Sequence, residues 1–185
     1  MATNKKEKRK VIDKTLTAFG VVATVLLLAV GSLAWWASSF TTTNVHDQLA
    51  DQKIYFPEKG SAALTSLPAT DQAQVSKYAG QQVLTGAQAK VFADNYIAVH
   101  LEEIGGGKTY SEVSALAQKD PTNTKLQNEA NTLFKGETLR GLLLGDAYAF
   151  GTVGAIAGYA AIASFVAAGV MFVLVLLGLR HLWSL

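Results

Sequence analysis

Two long stretches without a charged residue, at positions 15–45 and 147–179, constrain this chain more than any other feature. Each exceeds the roughly 20 apolar residues that a helix needs to cross the hydrocarbon core of a bilayer. A chain of 185 residues with this pattern is expected to be an all-α membrane protein, two transmembrane helices flanking a small, mostly helical domain. The expected organisation is a basic cytoplasmic tail at 1–14, a first transmembrane helix at 15–37, an extracytoplasmic helical domain at 38–146, a second transmembrane helix at 147–179 and a cytoplasmic end at 180–185.

Charge orients this arrangement. Lys5, Lys6, Lys8, Arg9, Lys10 and Lys14 precede the first run, against only Glu7 and Asp13. Basic residues beside a span favour the cytoplasmic side, so the N-terminus is expected inside. Two crossings return the C-terminus there, where Arg180 and His181 form a modest basic stop. The segment from 47 to 146 carries twelve acids against nine bases, so the basic character belongs to the tail. Placement beside an apolar run explains that tail without nucleic acid, which is not expected as a partner. A cleaved signal peptide is disfavoured. The apolar core at 16–33 is longer than usual for such segments, and Trp35-Trp36 stand where small residues are wanted. A tryptophan pair suits the headgroup layer instead, as a membrane-interface anchor.

The second run has two halves. Between 147 and 169 nearly every residue is small, and from 170 onward the side chains become large. Gly154 and Gly158 form a small-xxx-small step, extended by Gly151 and Ala161, which lets a second helix approach closely. That helix is either the chain's own first span or a partner's. A helix over 147–179 would be roughly 50 Å long against a core of about 30 Å, so its small-residue end is expected to rise out of the membrane.

The middle segment reads as helices separated by caps. Thr85 and Gln88 have capping-box spacing, and the helix they open shows an apolar stripe at Ala89, Ala93, Ile97, Leu101 and Ile104, widened by Phe92, Tyr96 and Val99. Gly105-Gly106-Gly107 stops it. Thr109 and Glu112 open a second helix through Gln118. A third is expected from 122 to 135, burying Leu126, Ala130, Leu133 and Phe134. Residues 45–56 are expected to be extended and 57–70 to be loop.

Catalytic groups are scarce. Gly107-Lys108-Thr109 resembles the end of a P-loop, but Glu102 stands where the first glycine belongs and a helix precedes it instead of a strand. No nucleotide partner is expected. His46, His100 and His181 form no metal-binding spacing, and His100 is read as a partly buried structural residue. Adjacent Glu102 and Glu103 point in different directions on a helix. There is no cysteine, which excludes disulfides and thiolate chemistry. No G-x-S-x-G or dinucleotide fingerprint occurs. Neither apolar run contains an ionisable residue, so transport by this chain alone is not expected.

The segment YIAVHLEEIGGGKTYSEVSALAQ and the run beginning ETLRGLLLGDAYAFGTVGAIAGYAA resemble a family of small actinobacterial membrane proteins. The matching positions are His100, Gly106, Gly107, Lys108, Thr109, Tyr110, Leu139, Arg140 and Gly151. The resemblance implies a basic start, a first span, an outer helical domain and a Gly/Ala-rich last span. Members often carry the name aromatic ring-opening dioxygenase. Such an enzyme needs two histidines and a carboxylate on one face of iron, and nothing in the spacing of His46 and His100 brings them together. That name is therefore rejected for this chain. The expectation is a non-catalytic accessory subunit of a larger membrane complex, with a respiratory-chain supercomplex as a plausible host. Its expected partners are integral membrane subunits and the bilayer, with no cofactor. The alternative is an envelope binding module whose Tyr78, Phe92, Tyr96 and Tyr110 line a cleft for a lipid, peptide or small hydrophobic ligand.

Overall fold

The computed structural model describes residues 2–184, with side chains from residue 7 onward. The side chains of Lys5 and Lys6, counted in the basic tail, lie outside the described residues. Among those described, the chain is all-helical with no strand. Two of its helices are long and apolar enough to cross a membrane.

The chain divides into two compact units. The first combines residues 2–40 with 154–184 and is a pair of helices. Helix α1 spans Ala2–Gln52, so its first forty residues belong here and the remainder to the second unit. Helix α8 spans Phe150–Trp183.

Burial within this pair follows a seven-residue repeat. On α1, Gly20, Thr24 and Gly31 are buried, with half-buried Thr17, Leu27, Ala34 and Ser38 continuing the alternation of three and four. On α8 the buried positions are Gly154, Ala161, Ala168 and Val175, each seven residues after the last. A 3-4 alternation keeps one seam facing a partner helix, as in a coiled coil. In a bilayer the usual contrast inverts, because lipid is as apolar as leucine and offers no drive for large side chains to meet. The seam is accordingly small and hydroxyl-bearing, while Phe19, Leu33, Ile156, Tyr159 and Val166 are exposed.

The second unit, Thr41–Val153, holds the remaining helices. They are α2 (Ala62–Thr65), α3 (Ala69–Val75, running into a 3₁₀ turn at Ser76–Tyr78), α4 (Gly86–Phe92), α5 (Ala98–Gly105), α6 (Tyr110–Lys119) and α7 (Thr124–Leu142). Two π-helical segments join consecutive helices without a break: Ala93–Ile97 links α4 to α5, and Leu143–Ala149 links α7 to α8. The core is formed by Val45, Leu49, Phe56, Val75, Val83, Leu133 and Leu143 with their neighbours.

Several expectations need correction here. Residues 45–52 are helical, because Val45 and Leu49 bury the same side of α1 as Thr41. The extended chain is shorter and later. Lys53 adopts a positive φ of 52° and ends the helix. Tyr55 then pairs with Gln82, while the Val83 amide donates to the Ile54 carbonyl at 2.8 Å and the Phe56 amide to that of Gln81 at 2.9 Å. The loop expected at 57–70 contains the single turn α2 and the start of α3. Ile104 is 38% exposed rather than buried, since Gly105 takes its place against Leu133. The helix expected to end near 135 continues to Leu142. Phe134 is 53% exposed and stacks on Tyr110 at 5.5 Å between centroids instead of entering the core.

Both capping boxes form. Gln88 and Glu112 receive the cap amides of Thr85 and Thr109 at 3.1 and 2.8 Å, and each threonine hydroxyl accepts in return. Gly106 and Gly107 both take positive φ, and their amides bond back to Glu103 and Glu102, closing α5 in a Schellman turn.

Candidate helix-packing and partner interface

The small residues of α8 meet the chain's own helices. A methyl group added at Gly158 would stand 2.8 Å from Ser38 Oγ, and one at Gly178 would stand 2.7 Å from Thr17 Oγ1. The reverse also holds. Methyls at Gly20 and Gly31 of α1 would collide with Val175 Cγ2 at 2.7 Å and the Phe165 ring at 2.9 Å. Partner numbers fall along α8 as they rise along α1, so the pair is antiparallel. Glycines on each helix receive larger side chains from the other, which is how backbones approach closely. The hydroxyl of Thr24, buried in this seam, is satisfied locally by donating to the Gly20 carbonyl at 2.8 Å. Gly154 and Ala161 are buried on the same stripe.

Gly151 sits in the other unit, where a Cβ would lie 3.7 Å from Gly86 Cα and 4.0 Å from Val45. Gly86 is tighter still: its Cβ would be 2.6 Å from the Ala147 carbonyl oxygen and 3.2 Å from Tyr148 Cα. The start of α4 therefore lies directly against the backbone of the second π segment. Sequence reasoning named Gly151 but missed Gly86, Gly20, Gly31, Gly136 and Gly178. For Gly20 and Gly31 the available signal was recurrence on the small-residue ladders of α1; Gly86 and Gly136 pack against distant segments and carried no local signal.

Trp35 and Trp36 are exposed on α1, and Trp36 stacks on Phe40 at 5.8 Å. Large apolar side chains on α1 and α8 remain open, as do Ala160, Ala163 and Ala167.

The family-motif residues occupy structural positions in the second unit. His100 is half-buried; its Nδ1 lies 2.8 Å from the Tyr96 carbonyl and its ring 4.5 Å from the Tyr96 ring. Gly106, Gly107 and Thr109 form the helix stop and the following cap, with Lys108 between them and Tyr110 beginning α6. Leu139 packs on the core. Arg140 reaches 46 positions back, its Nη2 donating to Asp94 Oδ1 at 3.2 Å, and a second nitrogen approaches Glu137 at 3.6 Å. Asp94 also receives Lys90 Nζ at 2.6 Å, and that ammonium lies 5.1 Å from the centre of the Tyr148 ring. This four-charge node ties the first π segment to α7. Burial pushes the Asp94 carboxyl up, but hydrogen bonds and charge from Lys90 and then Arg140 outweigh it and hold the group below the usual range. Asp94 in turn raises Lys90. The Thr109 amide and then its hydroxyl lower Glu112. The Lys90–Asp94 pair has the i,i+4 spacing of neighbours on a helix face, whereas Arg140 carries no local signal.

The aromatic residues assigned to a possible cleft are packed against each other. Phe92 contacts Phe56 edge-on at 5.3 Å and Tyr96 at 5.0 Å, Tyr78 covers Phe56 at 5.3 Å, and His100 closes the column. Tyr110 lies apart, on Phe134. His46 pairs with its neighbour Asp47 at 3.2 Å. Among the described residues no group of three or more histidine, aspartate or glutamate side chains is placed to hold a metal.

No protein-family model, curated protein or solved structure matches the chain.

Proposed function

We propose that this protein is a non-catalytic accessory subunit of a larger membrane assembly, with a respiratory-chain supercomplex as the host to test first. The supporting observation is the aromatic column of Tyr78, Phe56, Phe92, Tyr96 and His100. Side chains that would wall a ligand cleft fill each other's space, which favours a rigid lobe offering its outside to neighbours over a ligand-holding one. The two long apolar helices add a lipid- or subunit-facing surface of exposed large residues.

In this reading both termini are cytoplasmic, and the unit Thr41–Val153 is extracytoplasmic, as the basic tail favours. The chain has no cysteine, so Lys108→Cys introduces a unique thiol. A membrane-impermeant maleimide added to intact cells should label it. Labelling only after the cells are broken would refute the topology. Extraction in a mild detergent should bring haem-containing subunits down with the tagged protein. Recovery of a free chain with no cytochrome absorbance would refute the host.

A further inference from the structure

We infer that the end of the helix pair where α1 begins and α8 finishes is a binding site for an anionic phospholipid, with the headgroup at Lys14 and Arg180 and an acyl chain along Phe19 and Val22. The inference rests on the membrane-spanning reading of α1 and α8 and adds a ligand to it.

Length places these residues at a headgroup level. From Lys14 to Trp35 is a rise of about 32 Å along α1, close to the roughly 30 Å of the hydrocarbon core. With the tryptophan pair in one interface, Lys14 falls in the other. The antiparallel seam brings the end of α8 to the same level, since Asp13 Oδ2 lies 3.6 Å from His181 Nε2. Trp183, highly exposed, stands at this end too.

The charge there is unbalanced. Lys8, Arg9, Lys10, Lys14 and Arg180 carry side chains exposed to the surroundings, and none of them forms an ion pair among the described residues. In the second unit Lys90, Lys125 and Arg140 pair with carboxylates and six other lysines do not; what sets Lys14 and Arg180 apart is their place at the ends of the two long apolar helices. Asp13, beside Lys14 in the sequence, faces His181 rather than forming an ion pair with a lysine. Cations left without internal partners at the edge of an apolar surface are what an anionic headgroup complements.

Beneath that cluster, Lys14, Thr15, Ala18, Phe19 and Val22 line a shallow, open and largely apolar depression along α1. Lys14, Ala18 and Val22 stand one turn apart on α1, and Thr15 and Phe19 flank them. The Thr15 hydroxyl is turned to the Val11 carbonyl at 3.0 Å, leaving the ammonium as the polar group at the mouth. A cation above an apolar trough matches a phosphate above an acyl chain.

The full-length protein, reconstituted in phosphatidylcholine bilayers containing an equal share of phosphatidylglycerol, is the sample to test. After gentle release, lipids retained on the protein are counted by native mass spectrometry. Each cation at the site is expected to favour phosphatidylglycerol about fivefold, the equivalent of about 1 kcal/mol at 1.4 kcal/mol per decade. The double variant Lys14→Gln/Arg180→Gln should therefore lower the retained ratio more than tenfold, while Lys119→Gln in the second unit leaves it unchanged. Phe19→Ala should shorten retention without reversing the preference. Equal retention of both lipids by the wild type overturns the inference, as does a ratio indifferent to the double variant. Displacement of the lipid by duplex DNA at physiological salt also overturns it and assigns the basic segment to nucleic acid. Failure to insert, seen as extraction by alkaline carbonate, overturns the membrane reading itself, a separate outcome. Unchanged helix content by circular dichroism confirms that each variant is folded.

Discussion

Gly86→Ala and Gly141→Ala should change stability in opposite directions, although both replace a helical glycine by the best helix former. At Gly86 the new methyl would stand 2.6 Å from the Ala147 carbonyl oxygen and 3.2 Å from Tyr148 Cα. Both neighbours are backbone atoms of the π segment Leu143–Ala149, so no rotamer change can relieve the clash; the helix start or the π turn must move by several tenths of an ångström. Overpacking of this kind costs about 1–3 kcal/mol. The gain from replacing a mid-helix glycine is about 0.5–1 kcal/mol, and Gly86 has less of it to collect because it opens α4, leaving a net loss of up to about 2.5 kcal/mol. At Gly141 nothing lies within 4 Å of the added methyl, so only the helix-propensity gain of about 0.5–1 kcal/mol remains. Thermal unfolding followed by far-ultraviolet circular dichroism in a non-ionic detergent reads both signs. Hydrogen exchange at the amides of α4 localises the loss. If Gly86→Ala matches or exceeds the wild type, the close approach of α4 to the π segment is wrong.

Three further perturbations test other parts of the structure. Leu133→Ala, which empties a fully buried position, should cost about 2–5 kcal/mol. Phe134→Ala should cost about 1 kcal/mol, since that half-exposed ring loses chiefly its tilted contact with Tyr110; chemical denaturation separates the two. Asp94 and Glu112 have carboxyls held below their ordinary values of 3.8 and 4.5. Their contribution to stability is therefore complete above those values and disappears as pH falls through the lowered range. Unfolding midpoints from pH 6 to about 2.5 should show a loss that is shallower in Glu112→Gln and in Asp94→Asn; profiles parallel to the wild type would refute the assignment. Gly158→Leu should separate the helix pair by colliding with Ser38, lowering both thermal stability and recovery of co-purifying subunits, whereas Gly169→Leu, with nothing within 4 Å, should keep the pair intact. Equal damage from the two variants would mean that the seam is not where the glycines act.

What could be read from the sequence, and what could not, follows from helical periods. The caps at Thr85 and Thr109 and the stop at Gly106 were legible because each is a local contract among four or five neighbouring residues. The stripe Ala89, Ala93, Ile97, Leu101 was also legible, but its strict spacing of four held a message that went unread. At 3.6 residues per turn, four residues overshoot one turn by about 40°, so an unbroken α-helix would carry this stripe progressively off the core. Gly105, not Ile104, is its next buried member. The π turn at Ala93–Ile97 accommodates one more residue per turn and brings the stripe back. The same spacing recurs at Leu143, Ala147 and Gly151 across the second π segment. Non-local partners such as Arg140 for Asp94 had no period to betray them.

The helix pair shows the opposite problem. Counting apolar residues finds the spans but hides their contact face, because in lipid the large side chains point outward and the seam is written in glycine, alanine, serine and threonine. Read as seam residues, Thr17, Thr24, Gly31, Ser38 and Val45 form one heptad ladder, and Gly20, Leu27, Ala34 and Thr41 form the second. The first ladder runs through Ser38 to Val45, the residue from which extended chain had been expected, and α1 continues past it to Gln52. The consequence bears on assembly. Gly158 and Ala161 are already occupied by the chain's own packing, so under the proposed function a partner helix would dock on the exposed side of α8 near Ile156, Ala160 and Ala163 or on the large side chains of α1. On that proposal, association would rely on side-chain fit with a complementary neighbour rather than on a second copy of the glycine stripe.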